Sequence, residues 1–142
     1  MPNVPATRVA IVDDDLTYGR AAARLLRASG FEALTFNSAE EYLAAGAAGE
    51  ADCLLLDVHL GGMSGFDLQR SLASSTGRPP VVFISGQTEP WIPARAAEAG
   101  CPFLRKSDPR EVLLAAIQAA AAVGPLHGND PADVPTAPLG RS

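Results

Sequence analysis

Five side chains able to do chemistry stand just past short apolar runs: Asp13 and Asp14 after Val9–Val12, Asp57 after Cys53–Leu56, Ser85 after Val81–Ile84, and Lys106 behind Pro102–Leu104 and Arg105. Three negative charges gathered within a few ångströms need a proton or a cation to hold them. An all-oxygen donor set with room for water suits Mg²⁺, with Mn²⁺ as its substitute. No histidine or cysteine cluster competes for a softer metal. A cation beside a free carboxylate and a lysine is a receptacle for a phosphoryl group in transfer, a reaction that asks for positioning and charge neutralisation more than for a strong base. Asp57 has the chemistry of the nucleophile and would become an aspartyl phosphate. The cation and Lys106 would offset a product charge of roughly −2, and the Ser85 hydroxyl would donate a hydrogen bond to it.

That convergence requires a particular set of elements. Short apolar runs alternate with helical patterns from Arg8 onward, the signature of a parallel sheet with crossover helices. Strands are expected at Val9–Val12, Glu32–Phe36, Cys53–Leu56, Val81–Ile84 and Pro102–Leu104. The first, third and fourth are almost wholly apolar, as strands covered on both faces must be. Helices are expected at about 16–28, 39–47, 65–74, 93–99 and 109–123. Asp15 is placed to cap the first, Ser38 with Glu41 the second, and Asp108 with Glu111 the fifth, with Pro109 in its first turn. Gly30 and Gly100 mark the ends of the first and fourth. Pro90 and Pro93 delay the start of the fourth. In an open parallel sheet the five chemical residues all fall along one edge, the carboxyl ends, where ligands of such folds bind.

The 142 residues, 47% hydrophobic and 19% charged, fit one globular domain with its own core. The layout is a short extension over 1–6, a folded domain over 7–123, and a Pro- and Gly-rich tail over 124–142 without apolar periodicity. A net charge of −5 leaves no broad basic surface for nucleic acid or anionic lipid, so neither is an expected partner. The longest apolar stretch, Val112 to Val123, is too short to cross a bilayer and is interrupted by Gln118, and MPNVPATR lacks the pattern of a leader, which points to the cytoplasm. Cys53 and Cys101 are far apart and read as small buried residues in a reducing compartment.

VDDD after the first strand, LLLDVHLGGMSG around Asp57, VFISG at the fourth strand and FLRK at the fifth resemble the receiver domain of two-component response regulators, over about residues 7–123 and with 43 residues from Asp14 to Asp57. The resemblance implies a flavodoxin-like, doubly wound (βα)5 α/β fold, its five-stranded parallel sheet in the order 2-1-3-4-5 with two helices on one face and three on the other. It implies Asp57 as phosphoacceptor, Asp14 as a direct Mg²⁺ ligand, Asp13 as an acidic partner acting largely through water, and the backbone carbonyl of His59 completing the metal shell. Ser85 and Lys106 would bind the phosphoryl oxygens, Gly86 would leave room for them, and Phe103 would be the aromatic whose rotamer follows phosphorylation. The donor would be a histidine kinase or phosphotransfer protein. Output, in a stand-alone regulator that is not a conventional enzyme, would pass to another protein through the face made by the fourth helix, fifth strand and fifth helix; dimerisation of the phosphorylated form is left open.

The departures are local. Ser107 stands where the family usually has proline after the lysine, and a cis bond before a non-proline residue costs about 2.5–4 kcal/mol, so this loop is expected to differ. Gly61-Gly62 replaces a usual Pro-Gly and should loosen the loop after Asp57. Two other readings compete. A small Mg²⁺-dependent phosphohydrolase would also use an aspartyl nucleophile, but typically has a second acid two positions later, where this chain has His59. A receiver-like binding module that ignores phosphorylation would have no need of the complete acidic pocket. Trp91 either anchors a partner or covers the sheet edge.

Overall fold

The computed structural model describes residues 6–46, 50–73, 76–87, 89–124 and 126–127. The extension expected over 1–6 and the tail expected over 124–142 therefore lie outside the described residues, apart from Ala6, Gly124 and 126–127. Strands β1 (Arg8–Val12), β2 (Glu32–Phe36), β3 (Cys53–Asp57), β5 (Val81–Ser85) and β6 (Phe103–Arg105) alternate with helices α1 (Leu16–Ala28), α2 (Ala39–Ala45), α3 (Gly65–Ala73), α4 (Trp91–Glu98) and α5 (Arg110–Val123). The five strands form one parallel sheet in the order β2-β1-β3-β5-β6, the expected 2-1-3-4-5 arrangement.

The two-residue period of a strand builds both cores at once. Val9, Ile11, Cys53, Leu55, Val82 and Ile84 face α1 and α5, where Leu26 and Ile117 meet them. The alternate residues Ala10, Val12, Leu54, Leu56, Val81 and Phe83 face α2, α3 and α4, packing on Tyr42, Phe66, Leu68 and Ile92. All five residues of β3 and of β5 are buried, which is why neither strand shows an alternating pattern in the sequence. Full burial of a side chain such as Leu54 or Ile11 contributes about 1.5–3 kcal/mol, so these central strands anchor the edge where the polar residues emerge.

Local signals set most of the helix ends. Asp15 caps α1 by accepting from the Tyr18 N–H, and Ser38 caps α2 by accepting from that of Glu41. The Glu41 carboxylate reaches back past the cap to accept from the Asn37 N–H, a variant of the capping box one residue upstream. Two expectations are corrected. Helix α4 starts at Trp91 rather than about 93, because first-turn N–H groups have no acceptor within the helix and Pro93 gives up nothing there. Asp108 does not cap α5; Pro109 occupies the cap position, and the Asp108 carboxylate instead accepts from the Arg105 N–H at 2.9 Å, holding the turn that carries Lys106. The Lys106–Ser107 bond is among those in trans, since no cis peptide occurs in the described residues.

One feature has no counterpart in the sequence expectations. β4 (Thr76–Arg78) pairs antiparallel with β7 (Leu126–His127), a separate two-stranded ladder that joins the chain after α5 to the segment leading into β5. Strands of two and three residues carry too little pattern to be read from sequence.

Candidate functional site

The carboxyl ends of β1 and β3 each extend by one residue into a fixed backbone. The Asp13 N–H donates to the Phe36 carbonyl at 3.0 Å, and the Val58 N–H donates to the Ile84 carbonyl at 3.0 Å. Asp13 and Asp57 are thereby held as strand residues, and each is only 3% exposed. Asp14, next along the chain, turns out to solvent. Oxygens of Asp13, Asp14 and Asp57 nevertheless all lie within 4.8 Å of one another. From the far side of the sheet, the Lys106 N–H donates to the Ser85 carbonyl at 2.9 Å, which brings the ammonium over the two buried carboxylates. Lys106 Nζ lies 2.9 Å from Asp13 Oδ2 and 3.2 Å from Asp57 Oδ2.

Each carboxylate also accepts a backbone N–H. Asp57 Oδ1 accepts from His59 at 3.1 Å, Asp13 Oδ1 from Asp15 at 2.9 Å, and Asp14 Oδ2 from Gly61 at 3.2 Å. Asp13 Oδ2 meets Lys106 only as an ion pair unaligned for hydrogen bonding. It is the buried side-chain polar atom, among the described residues, that has no hydrogen bond. Three carboxylates facing one ammonium leave two negative charges over, and the donors are hard oxygens. Both facts fit a divalent cation of the Mg²⁺ or Mn²⁺ type, with Asp13 Oδ2 as the buried oxygen whose hydrogen bonding is unmet.

The electrostatics follow from this crowding. Burial first, and then the hydrogen bond and charge of Asp13, push the Asp57 carboxyl up to about 7, while Lys106 and the His59 N–H pull it down. Burial alone would lower the Lys106 ammonium, but Asp13 and Asp57 outweigh it and hold it above its ordinary value. Tyr18 is raised to about 12 by burial and then by the charges of Asp13, Asp57 and Asp108, so it stays a neutral phenol whose ring lies 4.9 Å from Lys106 Nζ. Burial raises both thiols, Cys53 to about 12 and Cys101 to about 11, and both are free, as expected of inert packing residues.

The remaining expected residues sit around this centre. Ser85 is fully buried at the end of β5, one place beyond the partner of Asp57 in the β3–β5 register. Its Oγ accepts from the Gln87 N–H at 2.9 Å and bonds none of the carboxylates. Gly86 lies against Lys106, since a Cβ there would be 3.7 Å from Lys106 Cδ. Phe103 pairs with Phe83 in the β5–β6 register and is half-buried against the core on the α4 side. The His59 imidazole is exposed and stands edge-on to Trp91, ring centroids 6.3 Å apart, and Trp91 also contacts Phe66 at 6.2 Å. Trp91 is half exposed, packing on His59 and Phe66 and leaving a face to solvent.

Three residues of the site were not singled out in the sequence. Tyr18 lies one turn past the Asp15 cap, a spacing that faces the ring back toward the strand ends. Gly65 sits so close to β3 that a Cβ would fall 2.2 Å from the Asp57 carbonyl oxygen, which makes glycine a steric requirement there. Glu40, on α2, accepts from the Met63 N–H at 3.1 Å across the loop that follows Asp57.

Comparison with known proteins shows the family and the fold of the chain. The model of the response regulator receiver domain matches residues 9–118. Nodulation protein W of Bradyrhizobium diazoefficiens is 37% identical over 113 residues, covering 79% of this chain and 50% of that protein. Response regulator protein TodT of Pseudomonas putida is 36% identical over 121 residues, covering 84% of this chain and 53% of that protein. The chain thus spans about half the length of the curated relatives it matches. Among solved structures, a response regulator receiver protein from Burkholderia phymatum superposes with a TM-score of 0.72 at 34% identity, covering 84% of this chain and 98% of that one. Chemotaxis protein CheY4 of Vibrio cholerae shares the fold at a TM-score of 0.70 and 22% identity, covering 82% of this chain and 99% of its own. With a family model matching residues 9–118, this chain belongs to the response regulator receiver domain family.

Proposed function

We propose that Asp57 accepts a phosphoryl group from a histidine kinase or phosphotransfer protein, in a reaction that depends on Mg²⁺ held by Asp13, Asp14, Asp57 and the His59 carbonyl. The observation that carries this reading is the buried Asp57 carboxylate with Lys106 Nζ at 3.2 Å and two further carboxylates beside it. The bound cation would supply charge neutralisation for the phosphoryl oxygens. An Asp57 oxygen attacks phosphorus as the donor's bond to phosphorus breaks. Lys106, already poised over Asp57, pairs with the transferred oxygens, and the Ser85 hydroxyl turns inward to donate to one of them. Phe103 then follows toward the space Ser85 has left, shifting the population between two packings of the face formed by α4, β6 and α5.

That face is the proposed route to the output. Val112 on α5, 41% exposed, gives it an apolar contact point. The chain's net charge of −5 argues against direct contact of the domain with nucleic acid, a statement about this domain and not about any module joined to it. No described helix is long and apolar enough to cross a membrane, and the reading places the phosphotransfer in the cytoplasm. In its names the family offers regulators of transcription, such as transcriptional regulatory protein TdiR of Thauera aromatica, 31% identical over 119 residues.

Incubation with acetyl phosphate and Mg²⁺ tests the proposal. Wild type should acquire an acid-stable, hydroxylamine-labile phosphoryl group, and Asp57→Asn should acquire none. Label that persists in Asp57→Asn would overturn the assignment.

A further inference from the structure

The loop between β3 and α3 hangs on three carboxylates, from the end of β3, the β1–α1 loop and α2. Its alternate amides each donate to one: His59 to Asp57 at 3.1 Å, Gly61 to Asp14 at 3.2 Å, and Met63 to Glu40 at 3.1 Å. The loop needs such outside support, because Gly61-Gly62 carries the most backbone freedom to be lost on ordering. Gly62 has φ +97, and a Cβ built on it would lie 3.1 Å from Glu40 Oε2, so the carboxylate is packed against a bare α-carbon. Asp57 and Asp14 belong to the oxygen cluster that a cation and a phosphoryl group would draw on. Glu40 lies outside that cluster, in the exposed first turn of α2. Its bond to Met63 is thus the one of the three that occupancy of the site does not compete for.

We infer that Glu40 is a positioning residue for the phosphorylation site: by holding Met63 it fixes the glycine loop, and with it the His59 backbone beside Asp57, and so sets the affinity for the divalent cation. This rests on the functional reading above. Glycines leave the loop free to move away when Asp14 exchanges its amide partner for a cation, and the Glu40–Met63 bond restrains it. Helix α2 gives the anchor rigidity, since Ser38 and Glu41 cap its start independently of Glu40.

The test compares Glu40→Ala, which removes the acceptor, with Glu40→Gln, which keeps an acceptor oxygen and removes the charge. Amide exchange by NMR in the metal-free 142-residue chain reads the loop directly. Mg²⁺ titration, followed by Trp91 fluorescence and checked by calorimetry, reads its consequence. In Glu40→Ala the Met63 amide should exchange about tenfold faster and the Kd for Mg²⁺ should rise about three- to tenfold, the scale of one charge-assisted hydrogen bond at an exposed position. Glu40→Gln should stay within about twofold of wild type on both measures, as an amide oxygen accepts in place of the carboxylate. Alanine is the best helix former, so α2 should persist, and an unchanged far-ultraviolet dichroism spectrum would verify it. Wild-type exchange and affinity in Glu40→Ala would overturn the inference. An equal loss of affinity in both variants would overturn it too, by assigning the effect to charge. If wild type itself takes up no Mg²⁺, the functional reading fails with the cation half of the inference, while the exchange data still judge the anchoring of the loop.

Discussion

At the scale of single residues, the site is a charge imbalance held in place by burial. Asp13 and Asp57 are almost wholly buried, and one ammonium serves both. Because Asp57 binds its proton more tightly folded than unfolded, its folded value of about 7 standing above the ordinary 3.8, it makes the metal-free fold less stable as pH rises through that interval. Asp57→Asn removes this contribution. Its thermal midpoint without metal should exceed that of wild type at pH 7.5, by about 3–6 °C if roughly 1 kcal/mol is regained, and the gap should close toward pH 4. Scanning calorimetry across that range checks both the sign and the trend. Lys106 acts in the opposite sense. Lys106→Met leaves two buried carboxylates without a counter-charge and should cost on the order of 3 kcal/mol at pH 8. That loss should shrink at about pH 5, where Asp57 holds its proton, and also in millimolar Mg²⁺; urea denaturation at the two pH values measures it.

At the scale of elements, the site depends on how closely α3 and the β3–α3 loop approach the end of β3. Gly65 opens α3 with its Cα so near the Asp57 carbonyl that any side chain collides with backbone. Gly65→Ala should therefore destabilise the domain by about 3 kcal/mol and weaken Mg²⁺ binding, since relief of the clash must shift either α3 or Asp57 itself. A chemical denaturation curve with a parallel Mg²⁺ titration would show the two losses together. Ser38→Ala removes a cap and should cost about 1 kcal/mol, with little effect on phosphorylation if Glu41 still reaches the Asn37 N–H. Turn chemistry also decides where Lys106 points. Asp108 is spent on the Arg105 amide, and α5 begins without a side-chain cap.

At the scale of the whole molecule, a sheet covered on both faces gathers the polar loops at one edge and leaves the other for closure of the chain. The β4–β7 ladder belongs to that second edge, since Thr76–Arg78 leads into the amino end of β5 while the carboxylates stand beyond its carboxyl end. Deleting residues from 125 onward should lower stability by no more than about 1 kcal/mol, as a ladder this short is marginal, and leave phosphorylation by acetyl phosphate at the wild-type rate. A slowed rate in the deletion variant would show that the two edges communicate.

The sequence by itself determined the sheet, the order of its elements and the edge at which chemistry collects. Apolar runs fully buried on both faces, and the residue following each run, are local properties of the chain. Once the strands are parallel, every strand end lands on the same side, so Asp13, Asp14, Asp57, Ser85 and Lys106 could be grouped although 93 residues separate Lys106 from Asp13. Only the tertiary structure decided the contacts between elements: Tyr18 under Lys106, Gly65 against the Asp57 carbonyl, Glu40 on the Met63 amide, and the pairing of Thr76–Arg78 with Leu126–His127. Each depends on distances of a few ångströms between segments whose separation is set by packing, and no periodicity or spacing in the chain encodes a distance of that kind.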